Sequence, residues 1–212
     1  MAKFEKGILG GFSGKIGPVI GLNWRGKDVM RSRPRKSNRP ATDAQTEQRT
    51  KFAMAIKLLS PLKSLFNKYF GQPEEDRSRQ NLAISYHITE AISGTYPALE
   101  FDYQKILITK GVLLGPENLE VTLLADSKIS IEWSDDSNQG LSEPADKLLV
   151  SIYNETRGVW QQKHTALRSD TSFELDLPDN WTGNTVHCWI SFTSDIRKLC
   201  ATSQYAGPFV LL

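Results

Sequence analysis

The stretch ENLEVTLLADSKISIEW, Glu117–Trp133, decides the fold class. Leu119, Val121 and Leu123 fall on one face of an extended chain, and Ile129, Ile131 and Trp133 repeat the pattern after turn residues. Alternation with period two marks a strand with one side against a core. The texture continues downstream through Leu148, Val150 and Ile152, a middle strand around Val159 to Lys163, then Phe173, Leu175 and Leu177. Val186, Cys188, Ile190 and Phe192 follow, with a last strand near Tyr205 to Leu211. Seven such segments at turn-separated intervals predict an all-β sandwich over residues 115–212. The loop Asp135–Asp146 (DDSNQGLSEPAD) is acidic and broken by proline, and is expected as mobile surface.

Upstream the period changes. Thr42-Asp43-Ala44-Gln45 is a capping-box pattern, and Phe52, Ile56 and Leu59 then form one apolar stripe of a helix. Pro61 ends or kinks it; Leu62, Leu65, Phe66 and Tyr69 predict a short second helix that Gly71-Gln72-Pro73 stops. A third helix is expected from about Asp76 to Ser93, burying Leu82, Ile84, Ile88 and Ile92 and ending at Gly94. Phe101 to Leu114 reads as a strand bent at Gly111.

The segment Gly7–Arg49 is glycine-rich first and arginine-rich afterwards. Ile16–Trp24 and Lys27–Arg33 read as two strands around a tight Arg25-Gly26 turn, with Pro18 placing the first strand at an edge or a bulge. An isolated hairpin is marginal in water, so this one is expected to dock, either on its own domain or on a neighbouring subunit through an open sheet edge. The fold class is thus an α+β N-terminal region, residues 1–114, a glycine-rich β-hairpin arm with about three helices, followed by the sandwich at 115–212.

The net charge of +2 conceals a polarity. Residues 1–70 hold 15 Lys+Arg against 4 Asp+Glu, and residues 71–212 hold 11 against 20. A basic front attracts phosphates or the acidic back of another copy, and contacts between unlike surfaces build rings or filaments. No run has the length of a transmembrane helix, and MAKFEKGILGGFSG lacks the apolar core of a secretory signal, so synthesis in the cytoplasm, with release as part of an assembly, is the expectation.

Candidate chemistry is sparse. His87, His164 and His187 lack the spacing of a metal motif, and His187 alternates outward beside inward Cys188. Two cysteines, Cys188 and Cys200, are too few for a zinc site and are expected as buried thiols; a hairpin about Ser194 could also set them opposite one another. Gly10–Lys15 is not a phosphate loop, because Ile16 follows the lysine. Glu74-Glu75-Asp76 and Asp135-Asp136 read as solvated carboxylates. No catalytic residue, cofactor, metal, membrane contact or small-molecule substrate is expected.

Two resemblances follow from these residues. Lys128–Trp133 and Val186–Phe192 make the C-terminal region resemble a fibronectin type III domain, which implies a binding or spacing module. Gly7–Lys15 (GILGGFSGK), Gly17–Arg31 with its W-R-G-K-D core, and Thr42–Phe52 (TxAQxxQR) resemble an uncharacterised family of Bacteroidota proteins, which implies architecture and no activity. Pro40 through Thr42 to Gln45, preceded by Arg39, is similar to segments in phage-related structural proteins.

The expected function is structural: a self-assembling, non-enzymatic subunit of a filament, tube or virion-like particle. Ile8, Leu9, Phe12, Ile16, Val19, Ile20, Leu22 and Trp24 would supply contact area on the next copy, and Arg25, Lys27, Arg31, Arg33, Arg35, Lys36 and Arg39 would meet its acidic surface. Alternation of Arg31, Arg33 and Arg35 fits one strand face. The alternatives are nucleic-acid binding by the same arm and adhesion or carbohydrate binding through Trp160, Trp181 and Trp189 on the sandwich.

Overall fold

The computed structural model describes residues 3–4, 11–24, 26–35, 39–73, 77–125, 127–137 and 139–211, and the chain forms two compact units, Met1–Thr42 and Asp43–Leu212.

The first unit is an antiparallel meander. β1 (Lys3–Phe4), β2 (Phe12–Ile16), β3 (Val19–Trp24) and β4 (Lys27–Ser32) lie side by side in chain order. The β3–β4 hairpin closes at Gly26, whose φ of 81° suits a residue without Cβ, and its N–H donates to Asn23 Oδ1 at 3.0 Å. Pro18 corrects the sequence reading. It sits in a tight turn after Gly17, so Ile16 belongs to β2 and β3 becomes an inner strand. In place of a ladder donor Pro18 offers its carbonyl, which accepts from Arg33 N at 2.7 Å.

In the second unit α1 (Asp43–Leu59) begins directly after Thr42. It buries Ala55, Leu58 and Leu59, whereas Phe52, expected in the stripe, is half exposed at 50%. A 3₁₀ turn at Ser60–Leu62 leads into α2 (Lys63–Tyr69), which buries Leu65, Phe66 and Tyr69 as expected. α3 (Arg79–Glu90) is shorter than the sequence suggested and starts where Ser78 accepts from Asn81 N at 3.2 Å. Its buried positions are Ala83 and His87 rather than Leu82, Ile84 and Ile88, which are half buried. Gly94 does not end the helix but lies inside the hairpin of β5 (Ile92–Thr95) and β6 (Ala98–Phe101).

The strand expected over Phe101–Leu114 is absent. A 3₁₀ turn at Tyr103–Lys105 is followed by an extended run that makes single bridges, Phe70 to Lys110 and Leu113 to Ala201. Here Gly111 is required by close approach, since a Cβ would meet the Cys200 carbonyl oxygen at 2.1 Å.

The remaining strands form a sandwich of two sheets. One sheet orders β11 (Ser172–Asp176), β8 (Lys128–Ser134) and β7 (Glu117–Leu124). The other orders β10 (Val159–Leu167), β9 (Lys147–Asn154), β12 (Thr185–Ser194) and β13 (Leu199–Cys200), with β14 (Gln204–Val210) also on β12. Ile129, Ile131, Trp133, Leu148, Val150, Ile152, Val186, Cys188, Ile190 and Phe192 meet in one core, as their alternation requires. Burial pushes the Cys188 thiol up to about 12 and the Cys200 thiol up to about 11, so both remain protonated.

A second core lies on the outer face of β9 and β12, where Leu149 and Trp189 pack with Leu58, Leu62, Phe66 and Phe70 of the helices. Trp160 Nε1 donates to Leu58 O at 2.9 Å and the Cys200 thiol to Tyr69 O at 3.1 Å, so helices and sheet share hydrogen bonds as well as area. The change of texture near Glu117 therefore marks where helices give way to strands inside one compact unit.

The loop Asp135–Asp146 departs from a mobile surface. Asp136 and Asp146 are buried against Arg168, itself 0% exposed, which lies over the Phe192 ring at 3.8 Å and donates to Leu114 O at 3.0 Å. A buried guanidinium needs counter-charge, and the acidic loop supplies it. Asp135 stays exposed, as expected.

Candidate functional site

Of the residues singled out by sequence, Ile16, Val19, Ile20, Trp24, Lys27 and Arg31 lie on the first unit's sheet. Cross-strand register sets Ile20 between Lys15 and Arg31, Leu22 against Val29, and Trp24 against Lys27. Since side chains alternate, these share one face, apolar along its middle and cationic at both ends. The opposite face carries Ile16, Val19, Asn23, Asp28 and Met30. Asn23 Nδ2 donates to Asp28 Oδ1 at 2.9 Å, which fixes the hairpin end.

This sheet keeps much apolar surface in solvent. All six residues of β4 are exposed, Met30 at 70%, and Trp24 on β3 is exposed at 45%. Among the described residues β4 pairs only with β3, leaving its other edge open. Among the described residues too, Lys27, Arg31, Arg33 and Arg35 have no ion-pair partner, although every one is exposed.

The arginine ladder is corrected. Arg31 lies within β4, whereas Arg33 and Arg35 follow its end at Ser32 in irregular chain, so they do not share a strand face with Arg31. Arg39 is exposed further along. Arg25, Lys36, Ile8, Leu9 and the Glu74–Asp76 run lie outside the described residues.

In the second unit a polar cluster escaped the sequence. His187 was expected outward, and it does leave the sandwich core, but it is buried because Tyr103 stacks on it with ring centroids 3.8 Å apart. His187 Nδ1 lies 2.8 Å from the Tyr205 hydroxyl and Nε2 lies 3.2 Å from Glu155 Oε2. Burial lowers the His187 pKa and raises the Tyr205 hydroxyl to about 12, while Glu155 pulls the imidazole the other way. The arrangement ties the Tyr103 turn to β12 and β14.

His87 is a second histidine without a sequence signal. Its Nδ1 lies 2.7 Å from Ala83 O and its Nε2 accepts from Leu107 N at 3.2 Å, so a neutral ring satisfies both partners. Of the tryptophans proposed for adhesion, Trp181 and Trp189 are buried and Trp160 is half buried, committed to the helical layer. Among the described residues no group of three or more His, Cys, Asp and Glu could hold a metal, and no helix is long and apolar enough to cross a membrane.

Among solved structures, a fibronectin III domain of human collagen alpha-1(XX) is 11% identical, spanning 46% of this chain and 84% of its own at a TM-score of 0.33. One from human contactin 1 is 13% identical over 49% and 77%, TM-score 0.30, and the FN5 domain of Drosophila Lar is 11% identical over 45% and 92%, TM-score 0.32. No curated protein matches. The model of one sequence family spans both the N-terminal sheet and the helix-covered sandwich, covering residues 11–207, and by that match the chain belongs to the family of unknown function DUF6266.

Proposed function

We propose that this protein is a structural subunit that assembles with copies of itself, using the N-terminal sheet and the basic segment after it as the packing arm. The observation carrying this reading is β4, open-edged among the described residues, with all six of its residues exposed on a sheet that also exposes Trp24 and Ile16. An uncovered edge is a template for pairing with another chain, and two-faced sheets need a further layer. The charge polarity supports a partner of the same sequence, since residues 71–212 hold 20 Asp+Glu against 11 Lys+Arg. Arm and acceptor differ, so the contact is heterologous and propagates into a filament, tube or ring. On the likeness at Gly7–Lys15 and Thr42–Phe52 we read it as a Bacteroidota product.

Electron microscopy and light scattering on the full chain test this directly. Ordered polymers are expected at low salt, dissolving as ionic strength shortens the reach of surface charge. A chain that stays monomeric at high concentration and low salt would refute the reading.

Nucleic-acid binding is the second reading, favoured by an exposed Trp24 ring beside Lys27, with Arg31 at the other end of the same face. A gel-shift titration separates the two. Assembly without added nucleic acid supports the first, and retardation that disappears in a Trp24→Ala, Arg31→Ala variant supports the second.

A further inference from the structure

We infer that the arm of one copy docks on the outer face of the β7–β8–β11 sheet of the next. The inference rests on the assembly reading above and names its acceptor surface.

Register and alternation put Glu120 of β7 directly opposite Glu132 of β8 on the side away from the core, with Glu174 of β11 on the same side. All three are exposed. Like charges directly opposed across strands destabilise a sheet, their Cβ atoms being about 5 Å apart. Among the described residues none of the three has a cationic partner; Lys128, the cation of this face, is taken by Asp176 at 3.3 Å. Repulsion that only water and salt weaken is a local conflict that a counter-charge from elsewhere relieves.

The arm offers that counter-charge at a comparable spacing. Lys15 and Arg31 flank Ile20 on the outer strands of β2–β3–β4, two strand spacings or about 10 Å apart. Glu120 and Glu174 flank β8 at the same lateral interval, staggered by two residues because Glu120 faces Glu132 and Glu174 faces Ser130, so they stand about 12 Å apart on a diagonal. A second copy's arm fits better than an unrelated cation, because each chain carries one such face of each sign and every docking leaves both free for the next link.

The test is a charge swap in the full chain, followed by light scattering and electron microscopy. Glu120→Lys with Glu132→Lys, and separately Lys15→Glu with Arg31→Glu, should each raise the concentration needed for polymers about tenfold or more. Mixed together, the two variants should polymerise again as an alternating copolymer, since reversed arm meets reversed face and native arm meets native face. Thermal melts confirm that each variant folds; if the lysine pair does not, Glu120→Gln with Glu132→Gln is read in its place. Polymers unaffected by the face variant, or a mixture that stays monomeric, overturn the acceptor face while leaving assembly standing. A wild-type chain that never polymerises overturns both.

Discussion

The two sheets of the sandwich turn opposite sides to the outside. Behind β9 and β12 the outward positions are Leu149, Tyr153, His187 and Trp189, and helices cover them. Behind β7, β8 and β11 they are Glu120, Thr122, Glu132 and Glu174, all exposed, around a small buried Ser130. The inward residues of both sheets are equally apolar. A sandwich pattern therefore reports only its core; the outward residues tell which sheet carries another layer, because apolar area left in water costs about 25 cal/mol per Å².

The sharpest way to break this comparison is to truncate the covered face. Trp189 is 1% exposed and packs on Trp160 and Tyr205 at ring-centroid distances of 5.2 and 5.4 Å. Trp189→Ala should cost about 3–5 kcal/mol, while Glu132→Ala on the bare face should stay within about 0.5 kcal/mol. Urea denaturation of the two variants reads the difference. Similar midpoints would mean that the helices add no core to the sheet.

Acid tests the same layer more gently. His87 packs against the Phe66 and Phe70 rings, and burial lowers its pKa from 6.5 to about 4 despite two backbone hydrogen bonds that act the other way. Its neutral ring is what the fold accepts, so the unfolded chain takes up a proton first as pH falls. Stability is complete above about 6.5 and declines towards 4, a loss of up to about 3 kcal/mol. Burial lowers His187 as well, in the same direction. His87→Gln should be weaker at neutral pH but flatter from pH 6.5 to 4, measured by urea midpoints at each pH. An unchanged slope would assign the acid sensitivity elsewhere.

What the sequence revealed, and what it hid, follows the distance between partners. Strands at Leu119–Leu123 and Val186–Phe192 were legible because inward and outward residues alternate within a few positions. Phe52 misled because α1 turns Ala55, Leu58 and Leu59 inward, onto partners such as Leu149, Trp160 and Trp189 that lie far along the chain. His87 meets Leu107, Gly111 meets Cys200 and Arg168 meets Asp136, and no local pattern announces such pairs. At the candidate site the apolar and cationic residue types were legible. Their division between two faces was not, because the Gly17-Pro18 turn that separates Ile16 from Val19 was read as strand.

The smallest effect addresses the bare face alone. Glu120 and Glu132 are cross-strand neighbours, and each stands in solvent where water and salt weaken the repulsion without removing it. Glu132→Lys would convert the opposed pair into an attractive one and should stabilise the chain by about 0.2–1 kcal/mol at low salt, fading as salt is added. Urea midpoints at two ionic strengths measure this. The sign matters more than the size: a gain in folding stability combined with a loss of polymer would show that the carboxylates are held in place at a cost to the fold and serve a contact outside it. A loss of both would instead make Glu132 an ordinary contributor to the sheet, and the two outer faces would then differ in composition but not in role.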